Sequence, residues 1–134
     1  YGIDNVQPIW ADSFLKAISN SKMGVNLSRG DPIKYYSSDR ITQLIGNGLL
    51  TFIHKNTLFS NFFSSDEIIF YSDISNLSEK IQKYAKDDEQ RKKIARRGKI
   101  KYMKYFNSTI VAEYIINKTF DNTYKKNKYL WENK

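Results

Sequence analysis

The chain has no cysteine and a single histidine. The first absence excludes disulfides, thiolate metal sites and cysteine catalysis, and it fits a reducing compartment. The second leaves no His/Cys/carboxylate cluster with metal-ligand spacing. No apolar run approaches the roughly 18 residues that a membrane span needs. Nor is there a Walker-type glycine-rich loop, so nucleotide hydrolysis is unsupported. No signal peptide is visible, and the chain opens on Tyr1 rather than Met. It is therefore expected to be a fragment, with its true N-terminus unseen.

What remains is one domain's worth of chain. It has 134 residues, 40% hydrophobic and 15% aromatic, with ten Tyr and eight Phe carrying much of the apolar bulk. The net charge of +8 is uneven. From Lys80 onward 16 cations face 6 carboxylates, giving +10, while the first 79 residues hold 6 cations and 8 carboxylates, giving −2. Basic C-terminal helices of this kind permit an anionic partner: nucleic acid, a membrane surface or a phosphorylated substrate. A solvated charged face is the plainer reading of the same residues.

Residues 23–53 organise the chain. Met23, Val25 and Leu27 begin an apolar strand. Ser28–Asp39 follows as a polar loop with Gly30, Pro32 and the cations Arg29 and Lys34. Ser37, Ser38 and Asp39 are all suited to cap a helix, because a short side-chain oxygen accepts an orphaned backbone N–H. Ile41, Leu44 and Ile45 then recur at helical spacing until Gly46 and Gly48, and Leu49–Ile53 reads as a buried strand. Around this unit, Trp10, Phe14, Leu15 and Ile18 mark a first amphipathic helix. Asn56 or Thr57 opens a short helix with Leu58, Phe62 and Phe63, and Glu67–Tyr71 is a third strand. Three helices follow. The first is capped at Asp73 or Ser75 and buries Leu77, Ile81, Tyr84 and Ala85. The second starts at Asp87 or Asp88, with Ile94, Ala95, Gly98, Tyr102 and Tyr105 on one face. The last begins at Asn107–Thr109 and carries Val111, Tyr114 and Ile115. Gly98 inside a helix costs about 1 kcal/mol against Ala, which close packing on a neighbour would explain. From Asp121 the chain reads as a ragged basic tail despite Trp131.

The alternation predicts an α/β fold: a partial Rossmann-like three-layer domain with a short parallel sheet and a helical C-terminal region. Ligands of such sheets bind beyond the C-terminal strand ends. A helix opening near Ser38 would present free N–H groups to phosphate there, with Arg29, Lys34 and Arg40 close in sequence. His54 follows a strand at the same edge, although a surface histidine is the plainer reading. Tyr35 and Tyr36 are read as packing residues rather than as a stacking platform. Three parallel strands leave exposed edges, which a homodimer would cover.

The ordered series Asn26-Leu27-Ser28-Arg29, Ser38 to Thr51, Glu67-Ile68-Ile69-Phe70-Tyr71, Leu77-Ser78-Glu79-Lys80-Ile81 and Arg91-Lys92-Lys93-Ile94-Ala95-Arg96-Arg97-Gly98 resembles the C-terminal half of a GT-B glycosyltransferase. The branch it resembles is the glycosyl transferases group 1 family that includes spore-maturation-protein-like enzymes. The resemblance spans residues 10–120 and implies a nucleotide-sugar-binding domain over residues 1–121, with 122–134 as a basic tail. It implies a nucleotide-diphosphate sugar as substrate and no further cofactor. It also implies an acceptor-binding N-terminal domain absent from this chain, which by itself would be inactive. Donor-binding residues would be Arg29, Lys34, Arg40, Gln43, Gly48 and His54. Gln43 falls where related enzymes carry the second Glu of an E-x7-E pair on the ribose, and Gly48 matches the glycine after it. The first Glu would fall at Tyr35, so the acidic pair of the retaining enzymes is missing. A cytoplasmic location in glycan biosynthesis is expected, with the basic helices available for peripheral contact at the inner membrane face. The rival is a non-enzymatic basic module binding nucleic acid or an anionic membrane.

Overall fold

The computed structural model describes residues 7–28, 30–121, 123 and 128–133. Eight regular elements follow in order: α1 (Ala11–Ser19), β1 (Met23–Asn26), α2 (Arg40–Gly46), β2 (Leu50–His54), β3 (Ile69–Tyr71), α3 (Ile74–Lys86), α4 (Asp88–Tyr105) and α5 (Ser108–Thr119). The three strands form one parallel sheet in the order β1-β2-β3. Met23 pairs with Leu50, and Phe52 with Ile69. The fold is α/β, as the alternation predicts.

Side-chain alternation along the strands sorts the core into two faces. Leu50, Phe52, Ile69 and Tyr71 point one way, into a cluster with Leu77 of α3 and with Ile94 and Ala95 of α4. Ile53 and Ile68 point the other way, onto Ile41 and Ile45 of α2 with Phe62 and Phe63. Ile18 of α1 closes on Leu44 and Leu49 in a smaller cluster. Gly24 lets α2 lie close on β1, since a Cβ there would stand 2.4 Å from Leu44 Cδ2.

α4 belongs to both layers. Its first half packs on the α3 face, while Tyr102 joins the α2 face, followed by Phe106 just beyond the helix. The helix crosses the start of β3 at Gly98, where an added Cβ would lie 2.2 Å from the Glu67 carbonyl oxygen. The close contact that a mid-helix glycine calls for is therefore present. Asp73, Asp87 and Asn107 cap α3, α4 and α5, each accepting a first-turn N–H.

Several local expectations are corrected. Leu15, Tyr36 and Ala85, read as packing residues, are exposed. The short helix after β2 is a pair of tight turns, 55–57 and 59–61, hinged at Leu58, which has φ +56° and is exposed. Val111 and Ile115 are exposed, and α5 has no fully buried residue. The tail is not ragged over its described part. Tyr129 is fully buried, and Trp131 lies between Phe106 and Tyr114, at ring separations of 5.7 and 5.4 Å. Among the described residues no helix is long and apolar enough to cross a membrane.

Candidate functional site

The C-terminal ends of the strands are marked by Asn26, His54 and Tyr71. Asn26 is buried, and its Oδ1 accepts the Ser38 hydroxyl at 2.9 Å, which pins the start of α2 to the end of β1. Between them, the Tyr35 N–H donates to the Thr57 carbonyl at 2.8 Å, and the Tyr35 hydroxyl accepts from Asn61 at 2.7 Å. With its ring 5.2 Å from Phe62, Tyr35 is a packing residue, as expected.

Directly above the sheet edge lies a cleft of about 250 Å³, lined by Ser28, Gly30, Pro32, His54, Tyr71 and Asp73 among others. His54 has both nitrogens engaged. Nδ1 accepts the Asn56 N–H at 3.2 Å, which puts the proton on Nε2, and that nitrogen donates to the Ser72 carbonyl at 2.7 Å. Asp73 accepts the Asn76 N–H and the Ser72 hydroxyl, and these bonds hold its carboxyl below the usual range. The positive end of α3 is thus already filled by its own carboxylate. The described lining residues thus present an imidazole with both nitrogens bonded and a helix end already capped.

A second cleft, of about 330 Å³, opens between the start of α1 and the first turn of α2. Arg40 and Gln43, three residues apart on one helix face, line it together with Asp39, Trp10 and Phe14. Arg40 is exposed and makes no ion pair among the described residues. The Gln43 Oε1 is buried and has no hydrogen-bond partner among the described residues. A buried acceptor left open costs about 1–3 kcal/mol, which a donor from a ligand would recover. Trp10 is 77% exposed. The spacing of apolar residues places it on the buried stripe of α1, but it sits at the N-cap, before the helical turn that would direct it inward.

Of the expected site residues, the structure brings Arg40 and Gln43 together. Lys34 stands apart, with its ammonium 4.9 Å over the Tyr35 ring. Gly48 lies at the far end of β2 from His54. It closes α2 with φ +80°, in a reverse turn where the Leu49 N–H reaches the Leu44 carbonyl and the Gly48 N–H reaches that of Ile45. Arg29 lies outside the described residues. The expected phosphate-binding helix end is also altered. α2 has seven residues and no side-chain cap, and its Ile41 and Thr42 N–H groups already bond the Ser38 and Asp39 carbonyls. Its contribution is the face carrying Arg40 and Gln43 rather than free N–H groups. Among the described residues no group of three or more acidic or histidine side chains is placed to hold a metal ion.

A short parallel sheet between helical layers defines the class: an α/β domain, of a kind whose ligands commonly bind beyond the strand ends. The family follows from comparison with known proteins. A family model described as glycosyl transferase-like matches residues 2–117, and the chain belongs to that family. No curated protein and no solved structure matches the chain significantly.

Proposed function

We propose that the chain is the donor-binding half of a two-domain glycosyltransferase of the GT-B kind, related to the spore-maturation-protein-like branch, and that it acts in glycan biosynthesis. The donor's nucleotide diphosphate occupies the cleft between α1 and α2. One observation carries this reading: in the same cleft, a buried Gln43 Oε1 and an Arg40 that both lack a partner among the described residues. With the Gln43 amide turned into the cleft, a ribose hydroxyl donates to Oε1. Arg40 balances the charge that builds on the leaving diphosphate. Trp10 supplies a flat apolar wall. The acceptor and any general base belong to the other domain.

The test is a thermal-shift panel of UDP, GDP, CDP and ADP. A ligand present at a hundredfold excess over its Kd stabilises by about 2.7 kcal/mol, a Tm rise of several degrees. One nucleotide is expected to stand out. Arg40→Ala and Gln43→Ala should each weaken it about tenfold or more, whereas Lys93→Ala on exposed α4 should not. Stabilisation by none of the four overturns the assignment. The basic face of α4 gives the rival its footing, and that reading predicts affinity for any polyanion, falling steeply with salt.

A further inference from the structure

On the other side of α2 lies a larger pocket, of about 410 Å³. Its walls include Ile41 and Ile45 of α2, Phe59 and Phe62 from the turns after β2, Val111 of α5 and Trp131. No charged residue is among its described lining residues. Most of its polar groups are engaged: the Tyr35 hydroxyl accepts from Asn61, the Thr42 hydroxyl donates to the Asp39 carbonyl, and the Tyr102 hydroxyl is bonded to Thr42, which leaves chiefly the Ser37 hydroxyl. A base or sugar entering this space would lose water and regain few hydrogen bonds, which is unfavourable. An apolar chain would lose nothing. The volume is that of a small-ligand site.

The charge sits against the walls. The ammonium of Lys34 stands 4.9 Å over the Tyr35 ring and that of Lys101 5.5 Å over the Phe63 ring, and both rings line the pocket. Lys101 is balanced by Glu67 at 2.7 Å, while Lys34 has no ion pair among the described residues. We propose that this pocket takes the apolar chain of an anionic amphiphile, an acyl or isoprenyl phosphate, with Lys34 at the head group. The exposed Ile115, one turn beyond Val111, extends the apolar surface outward along α5. The inference is independent of the donor cleft.

The probe is a series of alkyl phosphates below their micellar concentration, read by the fluorescence of Trp131 in a Trp10→Phe background, where it is the sole indole. Affinity should rise about fourfold per methylene and then level off once the pocket is full. Val111→Phe, which fills the pocket from its exposed rim, should weaken binding about tenfold or more. Lys34→Glu, on the exposed loop, should weaken the phosphate about threefold and leave the matching alcohol unchanged. It keeps the test open if Val111→Phe fails to fold. Anionic vesicles form a separate arm. The proposal is overturned by the absence of saturable binding of monomeric chains, by chain-length dependence without a plateau, or by affinity indifferent to both substitutions. Binding to vesicles alone also overturns it, since that is adsorption at a surface.

Discussion

A methyl group at position 98 has nowhere to go. Helix propensity alone says that Gly98→Ala should stabilise α4 by about 1 kcal/mol. The Glu67 carbonyl, 2.2 Å from the new Cβ, belongs to the backbone and cannot swing aside. We expect a net loss of about 1–3 kcal/mol in urea unfolding; a gain would mean that α4 does not press on β3. This contact was legible in the sequence, because a glycine inside an otherwise regular helical stripe asks for a steric reason. Trp10 was not legible in the same way. The periodicity that identifies α1 holds only inside the helix, and Trp10 stands one residue outside it. Gln43 was readable as a polar helix residue. That its carbonyl oxygen is both buried and unpartnered depends on neighbours distant in sequence.

The helices differ in how they begin. Asn107 accepts the Ile110 N–H at 3.0 Å, whereas Asp39, at the start of α2, makes no such bond. Asn107→Ala should therefore cost about 1 kcal/mol, while Asp39→Ala costs close to nothing. Equal losses in urea midpoints would contradict the caps described. Acid should act at two other carboxylates, Asp88 in the first turn of α4 and Glu67 just before β3. Hydrogen bonds from Lys92 and then Arg91 draw the Asp88 carboxyl down to about 2. At Glu67 burial pushes upward, but the bonds from Lys101 and the Ser64 N–H outweigh it, and the carboxyl ends below its usual value. A folded-state value below the unfolded one stabilises the native state above roughly pH 4, and that gain is lost as pH falls toward 2. Asp88→Asn should be less stable than the parent above pH 4, with the gap closing toward pH 2. A gap that does not change with pH would exclude the ion pairs as its source. The capping residues were visible in the sequence as Asp and Asn before apolar stripes. Three adjacent candidates before α2 could not be ranked, because Ser38 turns to Asn26, a partner twelve residues away.

For the molecule as a whole, the C-terminal residues matter more than their composition says. Tyr129 is fully buried, and its ring meets Tyr114 at 4.9 Å and Trp131 at 5.6 Å. Tyr129→Ala should lower stability by about 3 kcal/mol, and removing residues 121–134 should lower Tm by several degrees. An unchanged Tm would show that the segment does not dock. A Lys- and Asn-rich run carries no periodic signal, so two aromatics that dock from it cannot be told from surface residues. The sequence by itself determined the order of strands and helices, the parallel sheet and the glycine beneath α4, because each follows from local spacing and backbone sterics. Only the tertiary structure decided which polar side chains share a cleft. Arg29, Lys34 and Arg40 are close along the chain. Yet the loop that holds them is tied down by the Ser38 and Tyr35 hydrogen bonds, and these leave Lys34 over an aromatic ring and Arg40 beside Gln43 and Trp10.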